Sequence, residues 1–301
     1  MSQTTVSVII PTYNRSHVLA DALQSVRDQS YQDFEVIIVD DHSDDNEATK
    51  QLVLSLRDER FKYVYLKSNK GPSGVRNAAL PLCTGKLISF LDSDDLWRSR
   101  KLEVHTAILQ NNPDVAMVYS DEYVLSETGR VSEKPVHMDR NSPLPSGYIA
   151  REFFEDSFIG VMTVTLRRSV FEEMGGFDES MLYNEDDDLW FRIMLKYKVV
   201  CSDYVSGIRR LHETNMSRDR SKMVYYQLQC ISKYFDCYPD FMKQNHDVVS
   251  RKVRSLLTTY FKWSVKSLNF PSLRVIGAYT RVRNHLKQSA RQIQVEHQYE
   301  K

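Results

Sequence analysis

Short runs of apolar residues recur at regular intervals over the first 125 residues and predict the strands of a sheet. The runs are rich in Val and Ile, and three of them lack the alternation of apolar and polar positions that a half-exposed strand shows. Strands without that alternation are typical of a sheet that is covered on both faces. The predicted strands are residues 6–10, 34–39, 61–66, 87–91 and 115–119.

Amphipathic stretches with helical spacing separate these strands. The first follows Asn14 or Ser16, either of which can cap a helix, and the second and third are centred on residues 52–56 and 102–109. A strand–helix–strand order requires right-handed crossovers. The first part of the chain is therefore predicted to form a mostly parallel, doubly wound α/β sheet of the nucleotide-binding kind.

The pattern changes beyond the fifth predicted strand. Residues 120–150 are rich in turn-forming residues, residues 161–167 and 207–211 predict two further strands, and residues 186–196 predict a helix. Beyond residue 218 the spacing is helical, with one apolar stripe over residues 249–260 and a second over residues 276–286, on either side of a break at Phe270-Pro271-Ser272.

Charge divides the chain into two regions, although its formal net charge is zero. Residues 1–217 hold 24 Lys and Arg against 34 Asp and Glu, a net charge of −10, whereas residues 218–301 hold 16 against 6, a net charge of +10. Residues 248–295 contain ten basic residues and no acid. We therefore predict a domain over residues 1–217 and a basic helical extension over residues 218–301, with different partners.

Composition excludes several classes of protein. The chain has 301 residues, 42% of them hydrophobic and 27% charged, so it can bury a sizeable core and is not disordered. No apolar run approaches the roughly 20 residues that cross a bilayer, and the first residues do not read as a signal peptide. The four cysteines show neither metal-ligand nor redox spacing. We expect a cytoplasmic protein with free thiols.

Three loops follow predicted strands at the edge where parallel sheets bind ligands. Residues 11–15 follow the first strand and include Tyr13, residues 40–45 follow the second, and residues 92–95 follow the fourth. One acidic loop is an ordinary solvated turn, but acidic loops after two strands of one sheet repel each other unless a cation holds them. Carboxylates alone favour Mg²⁺ or Mn²⁺, completed by water and substrate phosphates.

Other ligand-binding signatures are weak or missing. The chain contains neither GxxxxGK[ST] nor GxGxxG, residues 71–74 predict only a Gly-rich turn, and Asn46 stands where a calcium loop needs Gly. Residues 184–190 (NEDDDLW) place four consecutive acids at the start of a predicted helix. The helix dipole stabilises such acids by about 0.3–1 kcal/mol each, but four exceed what capping needs. One of them could act as a general base beside a substrate hydroxyl.

Six stretches stand in a fixed order along the chain: VSVIIPTYNR, EVIIVDD, GPSGVRNAAL, GKLISFLDSDDLW, GGFDE and NEDDDLWFRI. In this order and spacing they resemble the family-2 glycosyltransferases of the glycosyltransferase-A fold. The resemblance covers residues 5–217. It implies a mostly parallel sheet flanked by helices, with a nucleotide-sugar half over about residues 1–125 and an acceptor half over about residues 126–217.

The resemblance implies a nucleotide pocket formed by Pro11, Tyr13, Asp40, Arg76 and Asp92. Tyr13 would stack near the base, and Asp40 would accept a hydrogen bond from the uracil N3–H. That acceptor favours UDP, because cytosine carries no proton on N3 and a purine is too wide.

The resemblance also implies a site for Mn²⁺ or Mg²⁺ at Asp92 and Asp94, the DxD motif of the family. Asp94 would bind the ion directly, Asp92 would contact the ribose or a metal-bound water, and His212 would close the metal and diphosphate site. The ion would bridge the diphosphate and stabilise the charge on the leaving group.

The acidic run would supply the base. By resemblance, Asp186 would deprotonate the acceptor hydroxyl as it attacks the anomeric carbon, Asp187 is the alternative base, and Glu185 would orient the acceptor. One displacement with one base implies inversion of configuration.

The basic extension has three interpretations. Its helices could pack on the catalytic domain with a solvated basic face, residues 248–295 could lie on an anionic membrane surface, or aromatic residues between the charges could bind nucleic acid. We rank nucleic acid last, because no nucleic-acid-binding motif accompanies the charge.

The predicted function is a metal-dependent inverting glycosyltransferase. It would move a sugar from a UDP-sugar to a glycan or lipid-linked saccharide in bacterial surface polysaccharide synthesis (O-antigen, capsule or exopolysaccharide), in the cytoplasm or peripherally at the inner face of the cell membrane. The alternatives are a nucleotide-sugar-binding protein without transferase activity, which the Glu-Asp pair disfavours, and a nucleic-acid-binding protein. The sequence names neither the sugar, the acceptor, the linkage nor the oligomeric state.

Overall fold

The computed structural model describes residues 5–137, 143–266 and 272–299. The described residues fall into two compact units, and the chain passes between them more than once. The first unit comprises Met1–Ile149 and Phe158–His212, and the second comprises Ala150–Ser157 and Glu213–Lys301. The sequence predicted a single boundary at residue 217, whereas in the structure residues 150–157 also belong to the second unit. The assignment of donor and acceptor halves to the first unit stays a prediction.

The first unit is built on an eight-stranded sheet in the order β3-β2-β1-β4-β7-β6-β8-β5. Neighbouring strands β3, β2, β1 and β4 are parallel, as predicted, whereas β7 is antiparallel to both of its neighbours and β5 is antiparallel to β8. The strands are β1 (Val6–Thr12), β2 (Phe34–Asp40), β3 (Phe61–Tyr65), β4 (Leu87–Phe90), β5 (Leu96–Trp97), β6 (Val115–Leu125), β7 (Thr165–Arg167) and β8 (Lys198–Arg210).

Helices cover the sheet and bury its apolar runs. Every residue of β2 and β4 is buried, which explains why these strands lack alternation. The helices of the first unit are α1 (Ser16–Arg27), α2 (Asn46–Ser55), α3 (Gly71–Ala79), α4 (Lys101–Asn111), α6 (Arg168–Glu173) and α7 (Glu185–Met194).

The structure corrects three local predictions. Residues 71–74 are not an isolated turn but begin α3, where Gly71 adopts a φ of +70° and Pro72 occupies the first turn, a position that needs no N–H donor. The strand predicted over residues 161–167 is a 3₁₀ turn (Val161–Thr163) followed by the short β7. The strand predicted over residues 207–211 is the end of the 13-residue β8.

The second unit is helical. It contains α5 (Ala150–Glu155), α8 (Arg220–Cys237), α9 (Pro239–Gln244), α10 (His246–Lys266) and α11 (Leu273–Tyr299). The ring of Phe154 on α5 lies 6.3 Å from that of Tyr234 on α8 and 5.9 Å from that of Phe241 on α9. Glu155 accepts hydrogen bonds from Arg251 on α10 at 3.0 and 3.1 Å. The short α5 is therefore an integral part of this unit.

The buried faces of α10 and α11 differ in part from the predicted stripes. On α10, Val249, Val253 and Tyr260 are buried as predicted. On α11 the buried side chains are Val275, Ala278 and Val282, whereas Ile276, predicted to face the core, is 43% exposed. The predicted break at Phe270-Pro271-Ser272 lies mostly outside the described residues. No helix in the part of the chain that the structure describes is long and apolar enough to cross a membrane.

Glu35 on β2 illustrates how a buried charge is held within this sheet. Its carboxylate accepts hydrogen bonds from Ser7 Oγ (2.7 Å), Lys62 Nζ (2.7 Å) and both the N–H and Oγ1 of Thr84 (2.6 and 2.8 Å). Burial alone would raise the pKa of Glu35, but these bonds outweigh it and lower that pKa from 4.5 to about 2.

We expect Glu35→Gln to lower the free energy of unfolding by about 3 kcal/mol at neutral pH, because the amide cannot accept the same bonds as a charge. The stabilisation by Glu35 is complete above the unfolded pKa of 4.5 and is lost as the pH falls through about 2. Denaturant unfolding over this pH range measures the difference, with Glu47→Gln on the exposed face of α2 as the control. A difference that stays constant with pH would contradict the role of the Glu35 charge.

Candidate active site

The candidate site lies at the carboxyl ends of β1, β2 and β4, which are adjacent because these three strands are parallel neighbours. The loops after β1 and β2 are joined to each other. Asn14, at a φ of +52°, donates its N–H to Ser43 Oγ (2.9 Å) and accepts from the N–H of Asp44 (2.8 Å), and the N–H of Ser16 donates to Asp45 (3.0 Å). The two loops therefore form one rigid rim.

The two rim residues predicted to line a nucleotide pocket are accessible. Pro11 is partly buried near the end of β1, and Tyr13 is 49% exposed in the loop that follows. An exposed ring on a fixed loop can stack on a planar base.

Asp40 does not present a free carboxylate to a ligand. The residue is fully buried, and its two oxygens accept hydrogen bonds from the N–H of Ser43 (2.8 Å) and the hydroxyl of Tyr63 (2.9 Å). Burial, followed by the contact with Asp40, raises the pKa of Tyr63, which keeps that hydroxyl a donor. The predicted hydrogen bond from a uracil N3–H to Asp40 stays a prediction, and in this structure the Asp40 carboxylate closes the loop after β2.

Asp41, which in sequence is only one acid of its loop, has a defined structural role. Its carboxylate accepts hydrogen bonds from the N–H groups of Lys70 (2.6 Å) and Gly71 (2.9 Å), and its carbonyl accepts from Asn69. Burial raises the pKa of Asp41 despite these bonds. Asp41 thereby fixes the start of α3 beside the end of β2, and α3 carries Arg76.

Arg76 joins the loop after β4 to the start of α7. Its guanidinium is buried and donates to Asp92 (2.6 Å) and to Glu185 (2.7 Å), and it lies over the ring of Phe177 at 5.4 Å. Burial opposes its charge, but the two carboxylates raise the pKa of Arg76, so it stays protonated. Burial raises the pKa of both Asp92 and Glu185, an effect that Arg76 opposes. The charge of the buried Glu185 depends most on this cation, whereas the Asp92 side chain is also partly exposed.

Asp94 lies next to this bridge and has different partners. One of its oxygens is 2.7 Å from Nε2 of His212 and 3.9 Å from the guanidinium of Arg15. The neighbouring Asp95 is buried and accepts from the N–H of Arg210 (2.8 Å), and burial raises its pKa well above the usual range. Asp95 thus anchors the loop, whereas Asp94 remains on its accessible side.

The donor groups at Asp94 fit a divalent ion that is shared with a substrate. Among the described residues no group of three or more His, Cys, Asp or Glu side chains is arranged to hold a metal ion by itself. The 2.7 Å pair of Asp94 and His212 supplies one oxygen and one nitrogen donor, and Asp92 keeps 32% of its side chain exposed nearby. Mg²⁺ in nucleotide sites is commonly bound by one or two carboxylates, with phosphate and water completing the shell.

The structure separates the four acids at the start of α7. Asp188 is fully buried and pairs with Arg192 at 2.9 Å, and Asp187 accepts from the side chain of Asn184 at 3.1 Å. Asp186 is partly exposed and accepts the N–H of Asp187 (3.0 Å). Burial, then the charges of Asp187 and Glu185, raise the pKa of Asp186 well above the usual range. A partly exposed carboxylate with a raised pKa is suited to accept a proton.

Most of the sequence-predicted residues are therefore gathered at one edge of the sheet. Arg76 is hydrogen-bonded to both Asp92 and Glu185. Asp94 lies in the loop of Asp92, Asp186 follows Glu185 on α7, and His212, two residues beyond β8, contacts Asp94 at 2.7 Å. Asp41, Arg15 and the Asp95–Arg210 contact were missed. Asp41 carried a usable signal, since it follows a buried strand directly, but the partner of each acid depends on distant segments.

We expect Arg76→Lys to lower the free energy of unfolding by about 3 kcal/mol, because one ammonium cannot bridge two carboxylates at 2.6 and 2.7 Å and the buried Glu185 loses its partner. The control is Arg100→Lys, whose ion pair with Glu103 is largely exposed and should matter little. Thermal or denaturant unfolding of both variants tests the comparison. Equal losses would show that the bridge is not a principal support of the site.

Comparison with known proteins identifies related sequences. The profile described as "Glycosyl transferase family 2" matches residues 7–175. The chain is 28% identical over 238 residues to the UDP-Glc:alpha-D-GlcNAc-diphosphoundecaprenol beta-1,3-glucosyltransferase WfgD of Escherichia coli, covering 77% of this chain and 87% of WfgD. It is 32% identical over 192 residues to the putative colanic acid biosynthesis glycosyl transferase WcaA of Escherichia coli K12, covering 64% of this chain and 67% of WcaA.

Solved structures share the fold. The structure of S. aureus TarS 1-349 in complex with UDP-GlcNAc matches with a TM-score of 0.58 and 18% identity, over 96% of this chain and 92% of TarS 1-349. The mannosyltransferase PcManGT from Pyrobaculum calidifontis, in complex with GDP-Man and Mn²⁺, matches with a TM-score of 0.61 and 18% identity, over 96% of this chain and 87% of PcManGT. These likenesses confirm the predicted α/β fold with a helical C-terminal region.

Proposed function

The chain belongs to glycosyltransferase family 2, and from this premise we propose that it transfers a hexose from a UDP-sugar to a hydroxyl of a lipid-linked saccharide, with inversion at the anomeric carbon and with a divalent ion. The single observation that carries the proposal is the Arg76 bridge. It holds the DxD loop at Asp92 against the acidic helix start at Glu185. In this proposal the donor-phosphate region and the base for the acceptor would thereby be adjacent.

The choice of UDP is supported by relatives rather than by Asp40. The WfgD name specifies UDP-Glc and TarS was solved with UDP-GlcNAc, whereas PcManGT was solved with GDP-Man. The shared fold thus accommodates more than one base. We favour UDP because WfgD is matched over 87% of its length.

The acceptor class is supported in the same way. The WfgD name specifies a saccharide on diphosphoundecaprenol, and the WcaA name specifies colanic acid biosynthesis. We propose a lipid-linked saccharide acceptor in bacterial surface polysaccharide synthesis. An acceptor on a lipid carrier would place the reaction at the inner face of the cell membrane.

The residues that would bind the donor surround the end of β4. Tyr13 and Pro11 would contact the base, and Asp92 the ribose or a metal-bound water. Asp94 and His212 would hold Mn²⁺ or Mg²⁺, and the ion, when bound, offsets the negative charge on the diphosphate. Arg76 keeps Asp92 from moving, since it fixes one carboxylate oxygen at 2.6 Å.

Asp186 would act as the base on the acceptor side. It removes the proton of the acceptor hydroxyl while that oxygen forms a bond to the anomeric carbon and the bond from that carbon to the diphosphate oxygen breaks. The proton ends on Asp186, and the nucleoside diphosphate leaves with the bonding electrons. Attack from the side opposite the leaving group turns an α-linked donor into a β-glycoside. Glu185, which is held by its hydrogen bond from Arg76, would orient the acceptor.

We expect Asp186→Asn to reduce the turnover rate by at least about 10²-fold while nucleotide affinity changes little, because the amide cannot accept the proton. Asp187→Asn is the matched control and should keep most activity, since Asp187 is engaged with Asn184. Radiolabelled sugar transfer and UDP titration measure the two quantities. Loss of activity in Asp187→Asn alone would assign the base to Asp187.

The pH dependence follows from the raised pKa of Asp186. The base is active only when deprotonated, so turnover in the wild type should fall as the pH drops through that raised pKa. This fall of turnover at low pH should be absent from the residual activity of Asp186→Asn. If the variant showed the same fall of turnover at low pH, a group other than Asp186 would be responsible for it.

We expect UDP together with Mn²⁺ to stabilise the protein by about 2.7 kcal/mol at 100 times its dissociation constant. Thermal unfolding with UDP, GDP, dTDP and CMP, each with and without Mn²⁺, tests this. The metal-dependent part should vanish in Asp94→Asn and weaken in His212→Ala, whereas Asp28→Asn, an exposed acid after α1, is the control. A preference for GDP would retain the transferase and overturn the UDP donor, and no response to any nucleotide would overturn the nucleotide site.

A further inference from the structure

Large apolar side chains are exposed at the adjoining ends of α10 and α11. Val265 near the end of α10 is 76% exposed, and Leu273 at the start of α11 is 85% exposed. Phe261 and Ile276, one helical turn from each, are 45% and 43% exposed. We refer to Phe261, Val265, Leu273 and Ile276 as the apolar tip.

The apolar tip is not the packed face of these helices. The packed faces are formed by Val253 and Tyr260 on α10 and by Val275, Ala278 and Val282 on α11, all at most 3% exposed. The hydroxyl of Tyr260 accepts the N–H of Ser272 at 2.8 Å, which holds the start of α11 against α10. The tip therefore adds exposed apolar surface to helices whose core contacts are already made.

Cations surround the apolar tip. Lys262 and Arg274 lie between its members in sequence and are exposed. The side chain of Ser221 is 3.4 Å from the Tyr260 hydroxyl, so the start of α8, with the exposed Arg220 and Lys222, lies at the same end. The nearby acid Asp219 is paired with Lys222 at 3.1 Å. Residues 248–295 contain no acid at all.

Exposed apolar side chains among cations are complementary to an anionic lipid surface. Such a surface offers negative headgroups for Lys and Arg and, directly beneath them, hydrocarbon for Val, Leu, Ile and Phe. Nucleic acid would match the charge but would leave Val265 and Leu273 in water. An apolar protein partner would match the side chains but would not require a region free of acids.

We propose that the apolar tip inserts into the interfacial region of an anionic membrane, with Lys262, Arg274 and the basic start of α8 on the headgroups. The inserted surface is limited to helix ends, so binding is peripheral and reversible. This inference does not depend on the identity of the donor or acceptor. It would bring the proposed lipid-linked acceptor and the enzyme to one surface.

The experiment is flotation of the full chain with vesicles of phosphatidylcholine, with and without phosphatidylglycerol. We expect the wild type to bind only the vesicles that contain phosphatidylglycerol. The double variant Val265→Ser/Leu273→Ser should bind about tenfold more weakly, and Lys262→Gln/Arg274→Gln should lose roughly fivefold per charge. Leu54→Ser/Val131→Ser is the matched control, because these side chains are 58% and 48% exposed in the first unit.

Four results would overturn the proposal. They are the absence of binding to anionic vesicles, equal binding by the tip variant and the wild type, equal loss of binding in the Leu54/Val131 control, and a wild-type dimer that the tip variant dissociates without any binding to vesicles. Salt-dependent binding of an oligonucleotide, lost in Lys262→Gln/Arg274→Gln while vesicles do not bind, would replace the membrane by nucleic acid.

Transfer to a detergent-dispersed acceptor separates this inference from the proposed function. The tip variant should retain wild-type transfer in that assay while losing vesicle binding, because none of its residues contributes to the candidate active site. Vesicle binding without transfer would leave the membrane surface standing and remove the proposed reaction. Transfer without vesicle binding would support the proposed reaction and overturn the membrane surface.

Discussion

The candidate site depends on one buried guanidinium. Arg76 is enclosed, and a single planar group satisfies one carboxylate from the loop after β4 and one from the start of α7. Because the fork has a fixed geometry, it sets the distance between two segments that are 93 residues apart in sequence, at Asp92 and Glu185. The backbone that places Arg76 is itself held by a carboxylate, since Asp41 binds the N–H groups at the start of α3. Successive charge-assisted hydrogen bonds, from Asp41 to the start of α3 and from Arg76 to Asp92 and Glu185, thus position the acids of the site.

The strands could be predicted from sequence because their burial leaves a local record. Runs such as 34–39 are apolar without alternation, and all seven residues of β2 are indeed buried. The long β8 could not be found in this way, since its residues alternate between buried, intermediate and exposed positions and carry charges at its end. The start of α3 was missed because Gly and Pro suggest a turn. Here Gly71, at positive φ, is the residue at which the chain enters the helix, and Pro72 is tolerated in the first helical turn.

The site could be predicted only as far as strand ends and motifs determine it. That Asp92 and Asp94 would lie near Arg76 and the acidic helix was implied by the family resemblance, but their different partners were not. Two adjacent acids after β2 look equivalent in sequence, yet Asp40 is enclosed by Ser43 and Tyr63 while Asp41 holds the next helix. Such differences arise from residues on β3 and α3, whose register with β2 is a tertiary property. The charge asymmetry of the C-terminal region was visible in sequence, whereas the exposure of Leu273 and Ile276 was not.

The excursion of residues 150–157 into the second unit has a consequence for how the chain is made. The helix α5 is synthesised long before α8, α9 and α10. It contacts an aromatic ring on each of α8 and α9 and an arginine on α10. During translation, therefore, the ring contacts of Phe154 with Tyr234 and Phe241 form only after the ribosome has added some 90 residues beyond it. The first unit, in turn, is interrupted by a segment that belongs elsewhere. Removal of the C-terminal helices would consequently leave the aromatic ring on α5 without its contacts on α8 and α9, although α5 lies in the middle of the first unit in sequence.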